Sequence, residues 1–234
     1  MLIDIHTHLR KFQNKENTKC LRFIVGRHSL GIHPWELVNT EDVIFFKDQF
    51  ITLKQSLTPT VLALGECGLD RRRKNILDIS YQKEILEWHL DWAIEVQKPI
   101  IIHCVKAFSD LLSLLKLKKY KGKLLIHDFS GNLQEAQKLL QFDCFFSFGS
   151  SLFKANHHSS FLIQELPKEK IFLETDDQVI YEIDQIYEKA QFLLNMSSQE
   201  LENLFEKNLY NFFSNLNNVS TADIVDNLSC GKNI

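Results

Sequence analysis

Six residues of this chain combine metal-donor chemistry with a repeated position. His6 and His8 close the first apolar run, "LIDIHTHLR", and single donors stand at the ends of later runs: Glu66 in "ALGECGLD", His103 in "IIIHC", His127 in "LLIHD" and Asp176 in "IFLETD". Residues two apart on a strand point to one face, so His6 and His8 converge. Imidazole nitrogen and carboxylate oxygen suit zinc, manganese or iron, whereas magnesium prefers oxygen and water. Six donors exceed the needs of one tetrahedral ion. With one carboxylate bridging, they suit two divalent ions ~3.5–4 Å apart, the spacing of two-metal hydrolytic sites. One histidine after an apolar run is more often a hydrogen-bonded structural residue than a ligand; the recurrence at equivalent places is what makes the set a metal site. His28, His89, His157 and His158 lack this placement and read as surface or core residues. His33, in "GIHPWE", is open to three roles: support of a ligand, contact with substrate, or closure of the turn at Pro34.

The elements that must position these donors are short apolar runs alternating with stretches of helical period. Strands are expected at Leu2–Ile5, Ser29–Ile32, Val61–Leu64, Ile100–Ile102, Leu124–Ile126, Cys144–Ser147 and Ile171–Leu173. Helices are expected at about Glu41–Leu57, Ile79–Gln97, Ala107–Leu117, Asn132–Leu140, Asn156–Leu166, Tyr181–Asn195 and Ser198–Phe213, with starts at Ser80 and at Ser197–Ser198. Such alternation, with runs apolar on both faces such as "PIII" and "KLLI", means a parallel sheet covered by helices. A dinucleotide-binding open sheet would carry glycines after its first strand, and "DIHTHLR" has none. The pattern therefore favours a (β/α) barrel, an α/β fold, with its eighth strand short or degenerate. Donors at the C-terminal strand ends then lie where barrel active sites are built.

At 234 residues with 44% hydrophobic content, the chain can bury a large core as one domain, expected over residues 1–216. Residues 217–234, "NNVSTADIVDNLSCGKNI", are expected to be a loosely held tail. A net charge of -3 excludes the global basic excess of many nucleic-acid binders, so any contact with a polyanion must be local. No apolar run approaches the ~20 residues of a membrane span, and Met1 leads directly into a strand-like segment. Five cysteines without a CxxC pair suit reduced thiols. A cytoplasmic, monomeric protein with no membrane partner is expected.

Taken in order, "DIHTHL", "GIHPWE", "ALGECGLD", "YQKEILEWHLDWAIEVQKPIIIHC", "LLIHDFSGN", "FSFG" and "IFLETD" resemble the successive motifs of the TatD-type metal-dependent hydrolases, the TatD-related deoxyribonucleases. The resemblance runs from Leu2 to about Phe213. It implies a TIM-like barrel of the amidohydrolase type, a divalent-metal centre, and hydrolysis of DNA phosphodiesters, often from a 3′ end. It also implies that His6, His8 and Asp176 hold one ion, that His103 and His127 hold a second, and that Glu66 bridges them. Asp176 is the residue expected to orient the attacking water and accept its proton, and Glu66 is the other expected catalytic position.

The chain departs from the family pattern at several places. Arg71, Arg72, Arg73 and Lys74 stand where aromatic residues are common; they form either a solvated loop or a phosphate-gripping one. Lys106 replaces a common arginine near the substrate phosphate and keeps the charge without the bidentate fork. Asp128 after His127 is either an orienter of that histidine or an outward residue, and Asp177 adds negative charge beside the metals. The expected activity is a phosphodiesterase acting on DNA or a short oligonucleotide with two divalent ions (zinc, manganese or magnesium), and with His33, Arg71, Arg72 and Lys106 contacting substrate. Two rival readings are an amidohydrolase-like enzyme for a small amide, ester or lactone, and a catalytically silent metal-binding partner protein. Against the first of these, Glu66 fills the bridging place that a carbamylated lysine would take.

Overall fold

The structure is a computed structural model that describes residues 1–8, 20–38, 43–73, 75–155, 158–177 and 180–213. Eight parallel strands appear in it: β1 (Leu2–Thr7), β2 (Cys20–Ile24), β3 (Ser29–Leu30), β4 (Ala63–Asp70), β5 (Ile100–Val105), β6 (Leu124–Ile126), β7 (Cys144–Phe148) and β8 (Ile171–Leu173). Strands β3 to β8 form one sheet in sequential order, and β1 pairs with β2. The two parts meet where Thr7 bridges to Asp176 and where the His8 amide donates to the Asp176 carbonyl at 3.0 Å. Between β2 and β3, Val25 bridges to Ser29 across a short turn.

Helices α1 (Val43–Gln55), α2 (Ile79–Glu95), α3 (Phe108–Leu117), α4 (Leu133–Leu139), α5 (Ser159–Glu165), α6 (Ile183–Leu194) and α7 (Ser198–Phe213) cover the strands. Each buries one stripe. On α2 this is Gln82, Ile85, Leu86, His89, Trp92 and Ala93, and on α7 it is Leu201, Phe205, Leu209 and Phe212, both at helical spacing. Helix α2 begins at Ile79 as expected, but its cap lies two residues before Ser80. Asp78 is the cap, accepting from the Ser80 amide at 2.9 Å. Helix α7 does start at a serine: Ser197 and Glu200 exchange backbone and side-chain hydrogen bonds at 2.8 and 3.3 Å.

Two elements differ from the pattern in ways that matter for the site. Strand β2 is not visible as an apolar run because Arg22 sits at its centre; Leu21 and Phe23 enter the core while the Arg22 guanidinium approaches the buried Asp4 carboxylate at 3.8 Å. Strand β4 extends to Asp70, so Glu66 lies inside a strand and not beyond its end. Its pairing with β5 shifts register between Leu64 and Cys67, the kind of irregularity that re-aims a side chain. Glycine makes this possible. Gly65, at φ +102°, and Gly68, at φ +150°, lie so close to β5 that a Cβ would stand 2.2 Å from the Ile101 carbonyl and 1.9 Å from the His103 carbonyl.

Cys20, Cys67, Cys104 and Cys144 are free thiols; Cys230, Lys74, His157 and the expected tail lie outside the described residues. Among the described residues, no helix is long and apolar enough to cross a membrane.

Candidate metal centre

The strand ends bring the six expected donors together. His6 and His8 come from β1 and the residue after it, Glu66 from β4, His103 from β5, His127 directly after β6, and Asp176 three residues beyond β8. Glu66 is the hub. Its Oε2 lies 3.2 Å from His6 Nε2 and 3.0 Å from His8 Nε2, and its Oε1 lies 3.1 Å from His103 Nδ1 and 2.8 Å from His127 Nε2. Asp176 Oδ1 stands 3.7 Å from both His6 Nε2 and His8 Nε2. Its backbone amide donates to the His6 carbonyl at 3.1 Å, so the β1–β8 seam holds the residue in place.

The charge environment matches that arrangement. Burial pushes the Glu66 carboxyl up, but the charges of His127 and His6 and hydrogen bonds from His103 and His127 outweigh it and hold Glu66 well below the usual carboxylate range. Burial also opposes the imidazolium of His127, yet Glu66 and Glu174 raise it well above the ordinary histidine value. For Asp176, burial dominates, helped by Glu174 and Glu66, and its carboxyl rises to about 6.

Two carboxylates behind the donors decide which nitrogens face the centre. His103 Nε2 points to Asp70 Oδ2 at 3.4 Å, and Asp70 also accepts from Trp35 Nε1–H at 2.8 Å and from the Arg72 amide at 2.7 Å. His127 Nδ1 faces Glu174 Oε1 at 3.5 Å; Glu174 is fully buried and accepts from the Asp128 amide and the Ser147 hydroxyl. Carboxylates behind two histidines place their ring protons away from the centre. With a cation bound, His103 Nδ1 and His127 Nε2, 3.0 Å apart, would be the nitrogens whose lone pairs face it; without one, both are within hydrogen-bond reach of Glu66 Oε1. His6 adds a second indication: among the described residues, neither of its buried ring nitrogens makes a hydrogen bond, Nε2 being only in ionic range of Glu66 and Asp176. The donor set fits divalent cations.

His33 belongs to the site in a different capacity. Its Nδ1 accepts from the Trp35 amide at 3.1 Å, so its proton is on Nε2, which stands 2.9 Å from Glu66 Oε1. Proximity alone groups His33 with Glu66 and His103 as a cation site. The tautomer argues against it. His33 is a donor into the centre, and burial, outweighing Glu66, lowers its pKa and keeps it neutral.

Residues 8–214 match the TatD related DNase family. The chain belongs to that family. Among TatD-related relatives, the protein named 3′-5′ ssDNA/RNA exonuclease TatD of Citrobacter rodentium is 36% identical over 157 residues, covering 62% of this chain and 55% of that protein. The Bacillus subtilis protein named uncharacterized metal-dependent hydrolase YabD is 30% identical over 153 residues, covering 63% and 57%. The matched stretch thus spans little more than half the length of these curated relatives. Among solved structures, the TatD homologue YJJV of Escherichia coli superposes with a TM-score of 0.68 at 21% identity, covering 83% of this chain and 77% of that one. A TatD-family hydrolase of Entamoeba histolytica gives 0.67 at 20%, covering 90% and 83%. These likenesses establish the TIM-like barrel fold of the TatD-related chain.

The remaining expected contacts are distributed differently around the mouth. Arg71 is paired with Asp110 through two hydrogen bonds of 2.8 and 3.0 Å. Arg72 lines a cavity beside the donors, and the Arg73 guanidinium lies 3.6 Å over the Trp35 ring. Lys106 is exposed and is not among the residues lining either cavity at the centre. Asp128 sends its carboxylate to the Ser151 hydroxyl at 3.2 Å, while Glu174 is the carboxylate that faces His127. Glu174, Asp70 and Trp35 were not singled out by sequence reasoning; their signal was only adjacency to the "ETD", "GLD" and "HPWE" motifs. His28 and His89 are core residues: His89 accepts from the Ile32 amide at 3.0 Å and its other nitrogen meets the Ile85 carbonyl at 2.8 Å.

Proposed function

We propose that this chain is a divalent-cation-dependent phosphodiesterase that hydrolyses DNA or short oligonucleotides from a 3′ end, with two cations at one centre. The observation that carries the reading is Glu66, buried with both oxygens within 3.2 Å of ring nitrogens from four ligand-type histidines. His6, His8 and Asp176 would hold one cation, His103 and His127 the other, with Glu66 between them. When bound, two such ions supply Lewis-acid charge to a phosphoryl oxygen and ease loss of a proton from water.

The chain's own groups supply the rest. Asp176 lines both cavities at the centre and accepts the proton of the attacking water. His33, with its proton on Nε2, donates to Glu66 or to a phosphoryl oxygen that enters beside it. Asp70 and Glu174 hold His103 and His127 in the ligand tautomer. The cations Arg72 and Lys154 on the cavity wall favour a polyanion over a neutral amide or lactone.

The test is degradation of 5′-labelled single-stranded DNA by purified protein with added manganese or magnesium. Wild type shortens the strand progressively from the 3′ end, and Glu66→Gln and Asp176→Asn abolish this. Cleavage undiminished in both variants would assign the activity to a contaminant.

A further inference from the structure

The centre opens into two adjoining cavities, each of about 230 Å³. One holds the donors: His8, His33, Glu66, His103, His127 and Asp176 line it. The other shares Trp35, His103, His127, Asp176 and Asp177 with the first but reaches outward to Arg72, Ser130 and Lys154. The hydrolytic chemistry above draws on Asp176 and on the general charge of Arg72 and Lys154, and assigns this second chamber no ligand of its own.

Its cations are specific to it. Of the described cations in the Arg71–Arg73 run, Arg71 is held by Asp110 and Arg73 lies on Trp35, so Arg72 alone lines the chamber. The Arg72 backbone is fixed there by its amide bond to Asp70. Lys154 comes from a different part of the chain, at the end of the short 3-10 helix Ser150–Phe153, where its amide donates a hydrogen bond to the Ser151 carbonyl at 3.2 Å. That short helix is tied down in turn by the Ser160 hydroxyl, which donates to the Leu152 carbonyl at 2.9 Å. Of the acids on the same wall, Asp176 faces His6 and His8 and Asp128 accepts from Ser151. Asp177 is the remaining acid lining the chamber.

We infer that the second chamber is a subsite for the phosphate next to the scissile one, gripped by Arg72, Lys154 and Ser130. The substrate class is therefore a strand with at least two phosphates, not an isolated diester. This inference rests on the phosphodiesterase reading and narrows it. A guanidinium and an ammonium lining one chamber suit a tetrahedral dianion or monoanion, with Ser130 as a neutral donor.

The experiment compares dTpdT with pdTpdT and dTpdTp, which share one scissile linkage and differ by one phosphate. Wild type with manganese is expected to prefer one of the phosphorylated dinucleotides about tenfold in kcat/KM, the size of one charge-assisted contact. Lys154→Ala and Arg72→Ala bring that ratio close to one. A ratio unchanged in both variants, a wild type indifferent to the extra phosphate, or equal losses on all three substrates would overturn the subsite. Equilibrium binding of the same fluorescently labelled dinucleotides, with calcium in place of manganese, is read in parallel. If wild type cleaves nothing, the phosphodiesterase reading fails, yet the binding ratio and its loss in Lys154→Ala still decide the subsite.

Discussion

Trp35 Nε1–H donates to the same Asp70 oxygen that faces His103 Nε2, at 2.8 and 3.4 Å, so a residue on the cavity wall is linked through one carboxylate to a proposed metal ligand. Burial raises Asp70, but hydrogen bonds from His103 and Trp35 outweigh it and keep the carboxyl below its usual range. Trp35→Phe keeps a ring and removes only the N–H. It is expected to weaken manganese binding roughly tenfold, the lower end of the range for groups that support a metal ligand, with the thermal midpoint little changed. Calorimetric titration of the metal-free protein with manganese measures this; equal affinities would show that Asp70 needs no help from Trp35.

Glu174 stands behind His127 as Asp70 stands behind His103. Glu174→Gln is expected to lower cation affinity by a further tenfold or more, because an amide presents a donor as readily as an acceptor to His127 Nδ1 and frees the wrong ring nitrogen. Combining it with Trp35→Phe tests independence. If the two histidines hold the same cation, the losses in the double variant should depart from additivity.

The seam between β1 and β8 rests on Asp4. Its fully buried carboxylate accepts from the Thr175 amide at 3.0 Å and the Thr175 hydroxyl at 2.8 Å, one residue before Asp176. Asp4→Ala strands both donors in the core, at about 1–3 kcal/mol each, and should cost roughly 2–4 kcal/mol in urea unfolding. Asp4→Asn keeps one acceptor and should cost less. Equal stability of Asp4→Ala and wild type would mean the seam is held elsewhere.

Acid should weaken the fold through His89. Burial, partly offset by its bond to Ile85, lowers its pKa from 6.5 to about 4 in the folded chain. Between those values the unfolded chain binds a proton that the folded chain refuses, so stability present above pH 6.5 is lost as the pH falls toward 4. By pH 5 the loss from this one group is about 2 kcal/mol. His89→Gln should be less stable at pH 7 but fall less steeply between pH 7 and 5. Parallel pH dependences of the two proteins would remove His89 as the cause.

The fold class was legible, and so was the gathering of six donor-type side chains at one place, because both follow from local properties. Strand and helix periods are set by neighbours along the chain, and a histidine or carboxylate just past an apolar run already lies at a barrel mouth. His6 and His8 needed only the two-residue repeat of a strand to converge. What local pattern could not decide were relations between residues far apart. Strand β2 was hidden because Arg22 belongs in the core only once Asp4 is beside it. Arg71, Arg72 and Arg73 read as one cationic run, but Asp110 takes the first and Trp35 the third, leaving the second for the cavity. Asp70 and Glu174 became supports of His103 and His127, and Lys154 joined Arg72 in lining one chamber, only when separate strands closed into a ring. Side-chain relations across 18 to 82 residues depend on the packed geometry, and no periodicity along the chain encodes them.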